Sequence, residues 1–199
     1  PYRICEVNSF SGGGRPGVSD TMAAALWVLD YMFTLAASGC AGVNMETGVN
    51  QLDFISSYSP IGDDEHGHYS AKPEYYGMLA FSLAGRGQLL KTEIDPGSAG
   101  LKAYATRLDK GAVTLTLINK IAAASVLTVH IDGRVPAKRA SAIRLLAPAF
   151  DAKTGITLSG AEVSPSGAWS RAKPEILPAA KGRLRIELPA ASAAIVQFA

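Results

Sequence analysis

The spacing of apolar residues differs between the two halves of the 199-residue chain. Within residues 1–86, apolar residues recur at helical intervals, as in Leu26, Leu29 and Phe33. Within residues 87–199, apolar and polar residues alternate, which is typical of strands with one buried face. The pattern therefore predicts a first unit built around helices and a second unit built from strands.

The first unit opens with a predicted strand, helix and strand. The strands are predicted over Tyr2–Glu6 and Ala41–Asn44, and the helix over Ser19–Ser38. Ser19 or Asp20 can cap this helix, because a short polar side chain can accept a hydrogen bond from the free N–H groups of the first turn. Two strands joined in this way are expected to be parallel, with a right-handed crossover.

A long loop and a second helix complete the first unit. The loop covers residues 45–71 and is rich in Ser, Gly, Asp and His, and a structureless loop of this length is more often functional than idle. Its acids and histidines, at residues 63–68, are suitable ligand types for Zn²⁺ or Ca²⁺ but match no recognised spacing. We therefore expect no metal site here. The helix is predicted over Pro73–Ala84, with proline in its first turn.

The second unit is predicted to contain short antiparallel strands. A hairpin joins Leu101–Leu108 to Val113–Asn119 across a turn at Asp109–Gly111. Many short strands separated by Gly and Pro indicate a β-sandwich. The further predicted strands are Leu127–Ile131, Ala142–Leu146, Ile156–Leu158, Arg183–Leu188 and Ala194–Phe198.

Charge and composition exclude several classes of function. The net charge is only +2 and the basic residues form no cluster, so neither nucleic acid nor a membrane surface is an expected partner. The longest apolar run, Met22 to Leu29, is too short to span a bilayer. Cys5 and Cys40 are the two cysteines, and we expect buried thiols rather than a disulfide.

The strongest candidate for chemistry is Glu6, at the end of the first predicted strand. A triple glycine, Gly12–Gly14, follows it. A carboxylate at a strand end, followed by a loop with free backbone N–H groups, can combine a catalytic acid with a binding cradle. Taken alone, the pattern would fit a surface acid and a flexible turn at least as well.

A longer motif around Glu6 resembles the nucleophile region of glycoside hydrolase family 79, which contains β-glucuronidases and heparanases. The motif reads Arg3-x-x-Glu6-x-Asn8-Ser9, then Gly12-Gly13-Gly14, then Gly17-Val18-Ser19-Asp20-Thr21-Met22-Ala23. Further resembling segments are Gly42–Asn44, Tyr58–Ile61, Pro73–Leu79 and Leu188–Ala193. The resemblance covers most of the chain, and its N-terminal part is the most specific.

The resemblance implies an α+β architecture, the end of a (β/α)₈ barrel followed by an antiparallel β-sandwich. Residues 1–86 would be the last two βα units, from the seventh strand to the eighth helix, and residues 87–199 the sandwich.

The resemblance also implies a role for individual residues. Glu6 would be the nucleophile of a retaining glycosidase, and Arg3 is a possible partner that would keep it ionised. The backbone N–H groups of Gly12 and Gly13 would bind the carboxylate of a β-glucuronide together with the Tyr58 hydroxyl. No cofactor is implied, and a secreted or periplasmic location is suspected.

A second catalytic carboxyl is expected to lie elsewhere. Retaining glycosidases need two carboxyl groups about 5 Å apart. The family places its acid/base glutamate after an asparagine in the fourth barrel strand, and Glu46, Asp53 and Glu74 match no such pattern. The chain is therefore expected to be a C-terminal portion that lacks its N-terminal barrel partner and is inactive alone.

Two alternatives stay open. The chain could be a non-catalytic module, in which the sandwich acts structurally or binds carbohydrate, although it shows no cluster of exposed aromatic residues. It could also belong to a heparanase-like endo-β-glucuronidase. An enzyme acting on sulfated chains would be expected to carry basic residues along its cleft. The acids Asp63, Asp64 and Glu65 therefore favour exo-cleavage.

Overall fold

The computed structural model describes residues 1–49, 56–95, 98–109, 111–131, 139–180 and 182–198. Its helices are α1 (Met22–Ala37) and α2 (Pro73–Ala84). Its strands are β1 (Tyr2–Val7), β2 (Cys40–Met45), β3 (Ile61–Asp63), β4 (Tyr69–Ala71), β5 (Gln88–Leu90), β6 (Leu101–Arg107), β7 (Val113–Asn119), β8 (Ser125–His130), β9 (Arg139–Leu146), β10 (Thr157–Leu158), β11 (Glu175–Ala180), β12 (Arg183–Leu188) and β13 (Ser192–Phe198). Asp53 and Lys110, named above, lie outside the described residues.

The predicted strand–helix–strand unit is confirmed. Strands β1 and β2 pair in parallel, with Tyr2 opposite Cys40 and Ile4 opposite Val43, and the register shifts between Tyr2 and Arg3 and again between Ile4 and Val7. Cys5 and Cys40 are both free, as expected, but Cys5 is exposed and Cys40 is only partly buried, so the expectation of two buried thiols is wrong.

The start of helix α1 differs from the prediction. The helix begins at Met22, and neither Ser19 nor Asp20 caps it. The N–H groups of Met22 and Ala23 instead donate to carbonyl oxygens of Ala152 and Phe150, at 2.8 and 3.0 Å. A distant loop thus satisfies the free N–H groups of this first turn, which a local side chain was expected to satisfy.

Helix α2 begins at Pro73, as predicted, and crosses α1 at close range. A Cβ atom on Gly77 would lie 2.1 Å from the carbonyl oxygen of Ala25, so only glycine permits this approach. The loop before α2 is not structureless, because β3 and β4 form an antiparallel hairpin within it.

The second unit is an antiparallel sheet that curls on itself. Its strands run in the order β5-β6-β7-β13-β9-β11-β12-β8, and β10 pairs with β9. Strand β11 changes partner along its length, since Glu175–Pro178 pair with β9 while Ala179 and Ala180 pair with β12. The two layers of the predicted sandwich are therefore joined through one strand, as happens where a strand bends from one sheet into another.

In the middle of the curled sheet, at β7 and β13, both faces are buried, each in its own core. On the convex side, Ile118 and Ile195 pack with helix residues such as Leu26 and Phe33. On the concave side, Leu117 and Val196 belong to a core enclosed by the sheet. Every residue of β7 is buried for this reason, because neighbours along a strand face opposite sides.

A polar network joins α1 to the sheet. The Tyr104 hydroxyl donates to one carboxylate oxygen of Asp30, and the Lys120 ammonium binds the other. Burial raises the pKa of Tyr104 to about 12, and the hydrogen bond to Asp30 acts in the same direction. The ring of Tyr104 also stacks on Phe33, with ring centroids 4.7 Å apart.

Within the described ranges, no helix is long and apolar enough to cross a bilayer.

Candidate active site

The candidate site lies where β1 and β2 end. Glu6 is the penultimate residue of β1 and is exposed. Glu46 follows β2, and its N–H donates to the carbonyl oxygen of Val7 at 2.9 Å. The carboxyl ends of parallel strands meet at one edge of their sheet, so both acids lie on the same side of the molecule.

The triple glycine is a left-handed turn pressed against the Tyr58 segment. Gly12, Gly13 and Gly14 have φ values of 66°, 84° and 89°, in the region that favours glycine. A Cβ atom on Gly14 would lie 2.8 Å from the Tyr58 nitrogen and 3.0 Å from the Ser19 Cβ. One on Gly12 would meet nothing within 4 Å. Gly14 was not predicted as a site residue, yet the close approach of the loop depends on it.

Tyr58 is held beside the glycine loop by backbone contacts. The Gly13 carbonyl oxygen accepts a hydrogen bond from the Ser57 N–H at 2.7 Å, and the Tyr58 side chain is only 7% exposed. Burial raises the pKa of the Tyr58 phenol, and the negative charges of Glu46 and then Glu6 raise it further. The Gly13 N–H and the Ser56 side chain act in the opposite direction, so the backbone donor lies close to the phenol oxygen.

The structure brings most of the predicted site residues to one place. The charge of Glu6 acts on the Tyr58 hydroxyl, which the Gly13 N–H also reaches. Gly12 lies at the exposed start of the same turn. Arg3 does not join them, because its guanidinium lies over Gly42 and donates to the Asn44 side chain. Within the described ranges, no salt bridge joins Arg3 to Glu6.

Two polar residues that were not predicted as site residues hold the glycine loop in place. The Ser19 hydroxyl accepts a hydrogen bond from the Arg15 N–H at 3.0 Å, and one Asp20 carboxylate oxygen accepts from the Gly17 N–H at 2.6 Å. The other oxygen of Asp20 binds the Lys153 ammonium at 2.7 Å. Burial opposes the shift, but Lys153 and the Gly17 N–H hold the pKa of Asp20 below its ordinary value. These side chains shape the loop, where the sequence suggested a helix cap.

Asn8 connects the backbones on both sides of the site. Its amide nitrogen donates to the Glu46 carbonyl at 2.8 Å and to the Tyr58 carbonyl at 3.4 Å. Its position two residues after Glu6 was the only signal in the sequence. Because one side chain bridges two segments, Asn8 fixes Glu46 and Tyr58 relative to each other.

The acidic hairpin β3–β4 stands apart from this cluster. His68 binds Asp64 at 2.7 Å, and hydrogen bonds from the side chain and backbone of His68 lower the pKa of Asp64 to about 2. Among the described residues, no group of three or more acid, histidine or cysteine side chains could hold a metal ion.

A large cavity lies elsewhere. It measures about 1180 Å³ and opens inside the curled sheet, between residues such as Leu115 on β7 and Val129 on β8. Its lining residues all fall within 90–198, so it contains none of the predicted site residues. The chemistry is therefore expected at the ends of β1 and β2, where a carboxylate, a backbone N–H and a phenol can contact one ligand.

Comparison with known proteins points to one family. Residues 103–195 match the family model described as the glycosyl hydrolase family 79 C-terminal beta domain. A β-glucuronidase of Aspergillus niger is 27% identical over 180 residues, which cover 80% of this chain and 33% of that protein. A β-glucuronidase of Neurospora crassa is 37% identical over 80 residues, or 40% of this chain and 14% of that protein. The chain thus spans a third or less of these relatives.

Solved structures share the fold. A 4-O-α-L-rhamnosyl-β-D-glucuronidase from Fusarium oxysporum matches 97% of this chain and 42% of its own, with a TM-score of 0.79 and 23% identity. A family 51 α-L-arabinofuranosidase from Thermotoga petrophila matches 99% of this chain and 43% of its own, with a TM-score of 0.74 and 12% identity. Residues 103–195 thus match the C-terminal beta domain of glycoside hydrolase family 79, and the β-glucuronidase relatives agree with the resemblance of the motif around Glu6 to that family.

Proposed function

We propose that this chain supplies the nucleophile and the uronate-binding wall of a retaining β-glucuronidase. The observation that carries the proposal is the convergence of the Glu6 charge, the Tyr58 hydroxyl and the Gly13 N–H at one strand edge. The names of the Aspergillus and Neurospora relatives support the choice of substrate class.

The proposed reaction assigns one task to each group. Glu6 attacks the anomeric carbon and forms a glycosyl–enzyme ester, while a second carboxyl protonates the leaving oxygen. We propose that this second group comes from a part of the enzyme outside these 199 residues. Water then hydrolyses the ester and regenerates Glu6. The chain by itself is expected to lack turnover, because protonation of the leaving group has no donor.

Tyr58 is suited to hold a uronate carboxylate. Its raised pKa keeps the phenol protonated at working pH, so it can donate a hydrogen bond without adding negative charge. The N–H groups of Gly12 and Gly13 belong to a left-handed turn, a backbone shape that presents successive N–H groups to an anion. Together these donors favour a uronic acid over a neutral sugar.

The architecture proposed for the whole enzyme follows the same division. Residues 1–86 would be the last two βα units of a (β/α)₈ barrel, since β1 and β2 are parallel and each precedes a helix. Residues 87–199 would be the C-terminal β domain. Acids on the β3–β4 hairpin favour exo-cleavage of unsulfated glucuronides over endo-cleavage of sulfated chains.

Kinetics of the full-length protein test the assignment. With 4-nitrophenyl β-D-glucuronide, Glu6→Gln is expected to lower kcat by at least about a thousandfold, because the amide cannot attack. Glu46→Gln is the matched control, an acid at the same edge, and should retain most of kcat. Activity of Glu6→Gln close to that of the wild type would end the nucleophile assignment.

The uronate assignment has a separate test. Tyr58→Phe is expected to raise KM for the glucuronide about tenfold or more, since a hydrogen bond to a charged group is lost. The KM for 4-nitrophenyl β-D-glucoside should change little. An equal effect on both substrates would contradict recognition of the carboxylate by Tyr58.

A further inference from the structure

Glu74 is a buried acid with no task in the proposed reaction. It lies in the first turn of α2, and its side chain is 1% exposed. Within the described structure, neither carboxyl oxygen has a hydrogen-bond partner. An acid at a helix start ordinarily benefits from the free N–H groups there, whereas this one is enclosed without using them. A buried, unpartnered carboxyl is stable only in its uncharged form.

The ionisation of Glu74 is governed by its burial and by one neighbouring side chain. Burial raises the pKa of Glu74 to about 8, and the side chain of Asn8 opposes the shift. At neutral pH the group is therefore a protonated acid beside Asn8.

Asn8 is the connection between Glu74 and the sugar site. Its amide nitrogen holds the Glu46 carbonyl at 2.8 Å and the Tyr58 carbonyl at the longer distance of 3.4 Å. Its amide oxygen accepts a hydrogen bond from the Ser9 N–H at 2.5 Å. The bond to Tyr58 is the weaker of the two that the nitrogen donates, and so the easier to lose.

We propose that Glu74 is a positioning residue of the sugar site, which acts through Asn8 and supports the site only while its carboxyl is uncharged. The inference rests on the proposed function of Tyr58. When Glu74 releases its proton to water, the carboxylate becomes a stronger acceptor than a backbone carbonyl. It then draws the Asn8 amide nitrogen away from Tyr58, and the Tyr58 segment loses an anchor beside the glycine loop.

Binding of D-glucuronic acid to the full-length protein, measured by calorimetry from pH 6 to 9.5, tests this role. The ligand carboxyl stays ionised over this range, so it does not titrate. Wild-type affinity is expected to fall about tenfold between pH 7 and pH 9, while Glu74→Gln, an uncharged isostere, changes less than about twofold. Glu187→Gln, an acid exposed on β12, is the control and should follow the wild type.

A second measurement does not depend on any variant folding. If binding requires protonated Glu74, the wild type takes up about half a proton per glucuronic acid at pH 8, which calorimetry in two buffers of different ionisation enthalpy detects.

In an Asn8→Ala background, Glu74→Gln should no longer change the pH dependence of glucuronic acid binding, because the link from Glu74 to Tyr58 through Asn8 is removed.

The outcomes separate this inference from the function on which it rests. Binding with the same pH dependence in the wild type and Glu74→Gln, or no proton uptake at pH 8, overturns the role of Glu74 alone. Absence of glucuronic acid binding at every pH, with no hydrolysis of 4-nitrophenyl β-D-glucuronide, overturns the proposed function and this inference with it.

Discussion

The strand edge that carries Glu6 and the curled sheet behind it are organised differently. In the sheet, buried side chains are mostly apolar, and Asn119 bonds four backbone groups, although the buried Thr116 hydroxyl has no hydrogen-bond partner among the described residues. At the strand edge, three consecutive glycines are left-handed and Glu74 is buried without a partner. The glycine turn and the unpartnered acid lie where the chemistry is proposed, as is common at functional sites, while the second unit has left-handed residues of its own at Ser159 and Ala191.

The sheet also holds the site in place. Carbonyl oxygens of Phe150 and Ala152 satisfy the start of α1, and Lys153 binds Asp20 at the end of the glycine loop. The loop between β9 and β10 in the second unit therefore fixes the position of the glycine loop. Changes at the strand edge should mainly alter binding, and changes in the sheet should mainly alter stability.

The largest effect is expected at the glycine loop. Gly14→Ala should weaken glucuronic acid binding at least about a hundredfold, because its Cβ would meet the Tyr58 nitrogen and the loop must move. Gly12→Ala is the matched control. It has the same left-handed strain, about 1–2 kcal/mol, but open space for the methyl group. Equal losses of affinity in the two variants would show that contact with Tyr58 does not matter.

At the strand edge, the substitution Glu74→Gln is expected to stabilise the protein. Its pKa is about 8 in the folded state against an ordinary 4.5, so its contribution to stability is fully present below pH 4.5 and declines as pH rises towards 8. Glu74→Gln should therefore raise the free energy of unfolding at pH 9 by on the order of 2–4 kcal/mol. Urea unfolding at pH 5, 7 and 9 measures this, and parallel pH profiles would refute it.

Within the sheet, Tyr104→Phe should act on stability alone. Loss of the hydroxyl removes the hydrogen bonds of Tyr104 to Thr34 and to one carboxylate oxygen of Asp30, and should lower the free energy of unfolding by about 1–2 kcal/mol. The affinity for glucuronic acid should stay within about twofold of the wild type, less than 0.5 kcal/mol. A large loss of affinity at unchanged stability would contradict the division between the two regions.

The smallest effect is expected where the two regions meet. Lys153→Gln removes a partly exposed ion pair and should cost about 0.5 kcal/mol at pH 7. The stabilisation by Asp20, whose pKa is lowered, is fully present above its ordinary value of 3.8 and is lost as pH falls below it. The difference between variant and wild type should thus vanish in acid; an unchanged difference at pH 2.5 would exclude the ion pair as its source.

Local sequence patterns predicted the elements whose residues alternate or repeat regularly. Helix α2 and strand β12 have their predicted bounds, since their burial follows helical spacing and strict alternation. Strand β11 was missed because it contains Pro178 and exposes Ile176, at 57%, so it lacks the usual signals. The start of α1 was misplaced because Phe150 and Ala152, far along the chain, provide its acceptors.

The site was predictable only in part, because some of its contacts also come from residues far apart in the chain. Glu6, Gly12, Gly13 and Tyr58 could be named through a family motif, although only the fold brings Tyr58 to the glycine loop. The proposed roles of Asn8 and Glu74 depend on the approach of the start of α2 to Asn8, which no local pattern encodes.

Covalent trapping tests the central claim most directly. A 2-deoxy-2-fluoro-β-D-glucuronyl fluoride should react once with the full-length protein, because the fluorine at C2 slows hydrolysis of the glycosyl–enzyme ester. Peptide mass spectrometry should then find the sugar on the peptide that contains Glu6, and Glu6→Gln should remain unlabelled. Labelling of Glu46 or of any other residue in the wild type would contradict the account.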